Sequence, residues 1–159
     1  MKFIIYTILS TYLLCSANIS IAQENQYKPG GSKWASTWSK FYSGDHEPEL
    51  DDPLIEAGKD MTLVICEAVK MKDMALRRYA IGALGFIGDE RALPTLEGIL
   101  KSKDEIYYFR GDALHSIYQI KKDLGKKYAN EFGNEHEYLK MLQDNINKDA
   151  KWLTEPTEE

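Results

Sequence analysis

The sequence predicts an all-α protein: a short α-α solenoid of stacked helical hairpins with a capping helix at each end. Three observations carry that expectation. From Pro53 onward apolar residues recur three and four positions apart, the spacing of one helix face. No stretch alternates with period two for long enough to make a strand. The chain also resembles itself one unit on. Setting Leu76-Arg77 over Phe109-Arg110, an offset of 33, brings Ala80 onto Ala113, Ala83 onto Ser116, Leu84 onto Ile117 and Ile87 onto Ile120. The preceding helices match at 31, with Ile65, Val69-Lys70 and Lys72-Asp73 over Leu96, Leu100-Lys101 and Lys103-Asp104. The second inter-helix turn therefore carries two extra residues. A repeat of about 33 residues is the length of a helix-turn-helix unit.

The 159 residues, 43 % hydrophobic and 28 % charged, suit one soluble globular domain. This composition excludes collagen-like and disulfide-scaffold classes. A net charge of −5 argues against sequence-independent nucleic-acid binding and against docking on anionic lipid, both of which rest on Lys and Arg.

Residues 1–22 have the layout of a signal peptide. Lys2 is the positive start, Phe3 to Leu14 the apolar run, and Ser20 and Ala22 precede a cut before Gln23. A cut after Ala17 is the second choice. The apolar run is too short to span a bilayer. Leu14 before Cys15 does not fit a lipidation site. Cleavage leaves Cys66 as the sole cysteine, so no internal disulfide forms. Its setting, TLVICEAV, reads as a small buried hydrophobe.

Residues 23–32, with Pro29-Gly30-Gly31, read as a flexible lead-in. Trp34, Trp38, Phe41 and Tyr42 make an aromatic stripe on a helix over about 33–43, covering one open end of the core. Residues 43–52 form an acidic loop without the spacing or central glycine of a calcium site. Asp52 is the expected N-cap of a helix over 53–70, with Pro53 at its first position. A second helix covers 74–87, stopped by Gly88-Asp89, and a third covers 91–100. A fourth, capped by Asp104, runs to about Ile120. Gly133-Asn134 interrupts the chain. A last helix, about 135–151, carries Tyr138, Leu142, Ile146 and Leu153 on one stripe, with Met141 beside it. Residues 122–153 thus supply C-terminal capping helices, and 154–159 a disordered acidic tail.

The run LRRYAIGALGFIGDERALPTLEGIL, residues 76–100, resembles HEAT repeats of the phycobilisome-lyase type. Arg77, Ala80, Ala83-Leu84-Gly85, Ile87-Gly88-Asp89, Arg91-Ala92-Leu93-Pro94 and Leu96 fall where that pattern expects them. The second unit matches through Arg110, Ala113, Ile117 and Ile120 but lacks the Gly-Asp turn and the Ala-Leu-Pro. The resemblance spans about 53–121 and implies a fold far more than a function. Bilin lyases share the repeat but are larger and cytoplasmic. Deoxyhypusine hydroxylase carries His-Glu pairs on its repeat helices for two irons. Here His46-Glu47 and His136-Glu137 lie outside the repeat helices, so no metal and no cofactor is expected.

On the second helices, Leu76, Ala80, Ala83, Leu84 and Ile87 share the core arc. Opposite lie Arg78, Ile81, Gly82 and Gly85, and one repeat on Gly111, Leu114, His115 and Tyr118. In stacked repeats this side is concave and usually binds partners, so these eight residues are the candidate partner site. The alternative is that the glycines only allow close packing and the terminal helices cover the groove. The resemblance implies that Arg77 and Arg110 are structural and pair with turn acids such as Asp89. One or two rings of Tyr107-Tyr108-Phe109 are expected at an exposed rim. Lys121, Lys122, Lys126 and Lys127 are read as cations favoured by a helix C-terminus.

The expected function is a non-enzymatic module binding one protein partner outside the cytoplasm, in the periplasm or secreted. A concrete version is an inhibitor or immunity protein for a periplasm-acting toxin or hydrolase. The alternative is a scaffold or assembly factor of an envelope complex. No catalytic residue, no nucleic-acid partner and no stable membrane insertion after signal cleavage is expected.

Overall fold

The computed structural model describes residues 26–43 and 52–154. The signal-peptide reading, the His46-Glu47 pair and the acidic tail beyond Thr154 fall outside these residues. Every regular element described is helical: α1 Ala35–Ser43, α2 Asp52–Ala57, α3 Thr62–Ala68, α4 Arg77–Ile87, α5 Leu93–Lys101, α6 Tyr107–Ile120, α7 Lys122–Phe132 and α8 Glu137–Asn147. Short 3-10 turns precede α1, α3, α5 and α8 and follow α8.

The aromatic stripe does what its spacing predicts. Trp38 and Phe41 are fully buried, with Trp34 and Tyr42 packed against the same core. The described part of the lead-in is not loose. Trp38 Nε1 donates to the Pro29 carbonyl at 2.9 Å, and the Tyr42 hydroxyl donates to the Tyr27 carbonyl at 2.8 Å. The indole and phenol are buried at one end and need partners at the other, and that need fixes the strand of chain beside them.

The predicted helix over 53–70 is broken. Gly58 takes a φ of +65°, so α2 stops at Ala57 and the chain restarts as α3 after a 3-10 turn. Leu76 also lies in the left-handed region, φ 56°, which delays α4 from Met74 to Arg77. The stop after α4 is the one the sequence signals. Gly88 at φ 68° donates its N–H to the Gly85 and Leu84 carbonyls, and Asp89 then caps the next turn by accepting from Arg91 N. Asp104 does not cap α6. The residue before α6 is extended Ile106, which offers no side-chain cap.

α6 is the centre of the molecule, packed against α4, α5, α7 and α8. α1 packs on α2, and α2 and α3 pack on α4. The core runs through all of them, from Trp38 and Leu54 through Ile65, Leu84 and Leu96 to Ile117, Leu139, Ile146 and Leu153. The last helix is shorter than predicted. Leu139, Leu142 and Ile146 form its buried stripe, Met141 is exposed, and Leu153 sits on a separate turn. Cys66 is buried, and burial raises its thiol pKa, as for an inert core cysteine.

Arg77 and Arg110 are structural and do pair with acids of inter-helix turns, but these are Glu105 and Glu135 and not Asp89. Arg77 Nε donates to the Val69 carbonyl just past the end of α3, and its two terminal nitrogens hold Glu105 at 2.8 Å each. Arg110 Nε donates to the Leu100 carbonyl in the last turn of α5, and its guanidinium holds Glu135. Each arginine lies over an aromatic face, Phe109 and Phe132 respectively. Two arginines 33 apart thus make the same three kinds of contact, with carbonyl partners 31 apart and acids 30 apart, while the two rings, 23 apart, are not equivalent positions. Each acid stands two residues before the helix that follows, α6 and α8. Asp89 is engaged elsewhere, by Arg91 and by the Thr62 hydroxyl.

The lysine reading is corrected too. α7 begins at Lys122, so Lys122 and Lys126 stand near a helix N-terminus and only Lys121 follows a C-terminus. They are held by specific contacts: Lys121 with Glu90, Lys126 with Asp149, Lys122 over the Tyr118 ring and Lys127 over the Tyr128 ring.

Candidate functional site

The eight residues predicted to line an open concave face lie on α4 and α6 as expected, but most are covered. Ile81 and Leu114 are fully buried and Tyr118 is 1 % exposed. Gly85 abuts α6: a methyl there would fall 2.8 Å from Ser116 Cα. Gly111 lies under α8, where a methyl would fall 2.2 Å from Tyr138 Cε1 and 3.0 Å from Leu142 Cδ1. The open-face expectation is therefore corrected for Ile81, Gly85, Gly111, Leu114 and Tyr118. The physical reason is that each helix buries its apolar face on a neighbour: α4 packs directly on α6 at Gly85 and Ile81, α7 closes on Tyr118 at Gly125, and α8 lies over α6 at Gly111. Gly82 and His115 remain half-buried, and Arg78 is exposed.

The polar members of the set are bound by their neighbours. Arg78 makes a two-pronged pair with Asp112, at 2.8 and 3.0 Å, and its guanidinium lies 5.5 Å from the Tyr108 ring. The Tyr118 hydroxyl donates to Asp149 at 2.7 Å, and burial with that neighbouring charge pushes its pKa up to about 12. His115 Nε2 lies 2.8 Å from the Leu153 carbonyl, so Nε2 carries the proton and Nδ1 is bare in the neutral ring.

Burial lowers the His115 pKa below the usual histidine value. The unfolded chain therefore binds this proton more readily. The full stability is present above the ordinary value, about 6.5, and is lost as pH falls from there to the depressed folded value. Acidification should lower the melting temperature more steeply in the native protein than in His115→Gln. Parallel curves for the two would show that this ring does not titrate differently on folding.

Exposed apolar side chains occur at Leu63, Met71, Phe86 and Ile106, and along α8 and its edges in a row that includes half-buried Tyr138. The Tyr108 and Tyr138 rings meet at 5.3 Å. Met141 follows one turn along α8, and its carbonyl accepts from Asn145 Nδ2. Asn145 Oδ1 in turn accepts from Trp152 Nε1, and the Trp152 ring stands edge-on to His115 at 5.6 Å. Tyr108 and Met141 are each 42 % exposed and Trp152 44 %. The rim expectation for Tyr107-Tyr108-Phe109 thus holds for Tyr108, while Tyr107 stacks on His136. Asp112, Asn145 and Trp152 were missed in the sequence. The available signal was a tryptophan in a polar, near-terminal stretch, outside any apolar stripe.

Among the described residues, no group of three or more His, Cys, Asp or Glu is placed to hold a metal ion. Nor does any buried side-chain nitrogen or oxygen lack a partner. Among the same residues, no helix is long and apolar enough to cross a membrane. The fold defines the class as all-helical. No family model, curated protein or solved structure matches the chain.

Proposed function

We propose that this chain is an exported, non-enzymatic protein-binding module built as a short HEAT-like solenoid. Its contact surface is the row Tyr108, Tyr138, Met141 and Trp152, with Arg78 beside it. The observation that supports this reading is the row itself. Tyr108 on α6, Met141 on α8 and Trp152 on the turn after it each stay more than two-fifths exposed, although α8 buries Leu139, Leu142 and Ile146. Aromatic residues, Met and Arg are the types enriched in protein interfaces. The repeated arginine contacts support the solenoid. Counting 33 on from Arg110 reaches Gln143, which faces Asn130 of α7, so α7 and α8 read as a third, degenerate hairpin. The module is read as an inhibitor or immunity protein of a toxin or hydrolase acting outside the cytoplasm.

The test is capture of partners from a periplasmic extract with the chain beginning at Gln23, run beside Tyr108→Ala, Met141→Ala and Trp152→Ala. One stoichiometric partner lost by these variants, at unchanged melting temperature, is the expected result. Full retention by all three places the contact elsewhere. Several envelope proteins at once would favour the scaffold reading.

A further inference from the structure

We propose that the Trp152 end of this row receives an acidic segment of the partner protein. The inference rests on the protein-binding reading above and adds the chemistry of what is bound. It begins with where the charge lies. The sequence carries 25 acidic residues and a net charge of −5. Seven of the acids fall in the two stretches 44–51 and 155–159: Asp45, Glu47, Glu49, Asp51, Glu155, Glu158 and Glu159. Without those seven the formal charge is +2, so the helical body is not acidic.

Four of the body's lysines stand around the turn where the row ends. Asp149, in a left-handed conformation at φ 48°, turns the chain after α8. Its carboxylate takes Lys126 Nζ and the Tyr118 hydroxyl, both at 2.7 Å. Lys122 lies over the same Tyr118 ring and helps hold the Asp149 pKa down. Lys148 and Lys151 flank the turn, and Trp152 follows. Asp149 neutralises one of these four lysines. The same elements also carry Asp123, on the first turn of α7, and Asp144, one turn before Lys148 and paired with Lys140. Among the described residues Lys122, Lys148 and Lys151 make no ion pair. An exposed indole next to Lys151, on a turn shared with lysines that make no ion pair among the described residues, offers an apolar anchor together with charge selection. Its complement is a carboxylate-rich segment carrying an apolar side chain. Such charge raises the association rate and selects the partner more than it adds affinity.

The probe is a fluorescein-labelled Glu-rich peptide with one central Leu, titrated at low and high salt. The native protein should bind it, with affinity falling as salt rises. Lys122→Glu/Lys148→Glu/Lys151→Glu should weaken binding by about tenfold or more, a loss of roughly 1.4 kcal/mol per decade. Lys28→Glu/Lys33→Glu/Lys40→Glu, the same charge change around α1, should leave it unchanged. Equal loss in both triple variants, or no binding by the native protein, overturns the proposal. So does displacement of the peptide by phosphatidylglycerol vesicles or duplex DNA, which would make the patch a lipid or nucleic-acid surface. In the extract experiment, a partner lost with Trp152→Ala but kept by the lysine triple would refute this inference and leave the protein-binding reading standing.

Discussion

Replacing Arg77 by Ala is expected to destabilise the fold by about 3–5 kcal/mol, the usual loss when one half of a buried ion pair is removed. Arg77 and Glu105 have side chains only 2 % and 7 % exposed. The guanidinium also satisfies the Val69 carbonyl. Ala at this position leaves a buried carboxylate and a buried carbonyl with nothing to bind. The carboxyl's pKa is held below its usual value chiefly by its bond to Arg77. That contribution is complete above the ordinary Glu value and is lost as pH falls below it, so the variant should show a weaker acid-side decline. The double change Arg77→Met with Glu105→Gln should recover much of the loss, since no charge is then stranded. Urea midpoints at pH 7 decide the matter. A single-variant cost under about 1 kcal/mol would mean water reaches the pair.

Gly125→Ala should destabilise by about 1–3 kcal/mol, while the same substitution at Gly98 should stabilise by about 0.5–1 kcal/mol. Gly125 sits in the first turn of α7, one tight corner from α6. A methyl group there would fall 2.4 Å from Tyr118 Cα and 3.0 Å from Tyr118 N. Those are backbone atoms and cannot swing aside, so α6 and α7 must separate. Gly98, inside α5, would place its methyl against nothing within 4 Å. There Ala only removes the entropy cost of glycine in a helix. Thermal melts of the two variants should move in opposite directions. Equal shifts would show that the α6–α7 corner yields.

Much of the fold was legible because its determinants are local. The aromatic stripe and the Gly88-Asp89 stop depend on spacings that a linear reading counts directly. The buried placement of Trp38, Phe41, Leu84 and Ile117 follows from them. The breaks were less legible. Gly58 inside an apolar-periodic run looks like a tolerated helix glycine until its φ is seen. Leu76 gives no warning of a left-handed conformation.

The candidate site was half legible for a related reason. Helical geometry placed Arg78, Ile81, Leu114, His115 and Tyr118 on one side of α4 and α6, and they are there. Whether that side is open depends on where α8 settles. Tyr138 and Leu142 read equally well as a cap over the core end and as a lid over α6. Similarly, the pairing of Arg77 with Glu105 rather than Asp89 depends on which turn stacks above which helix, and no spacing records that.

The sequence by itself determined most of the helices and the identity of most core positions, because burial and capping follow from residue type at short range. Only the tertiary structure decided which face the last helix covers, which acid each arginine meets, and that Tyr108, Met141 and Trp152 remain outside. These outcomes follow from a competition among apolar surfaces distant in sequence. The winner is set by how much area each helix can bury against the others.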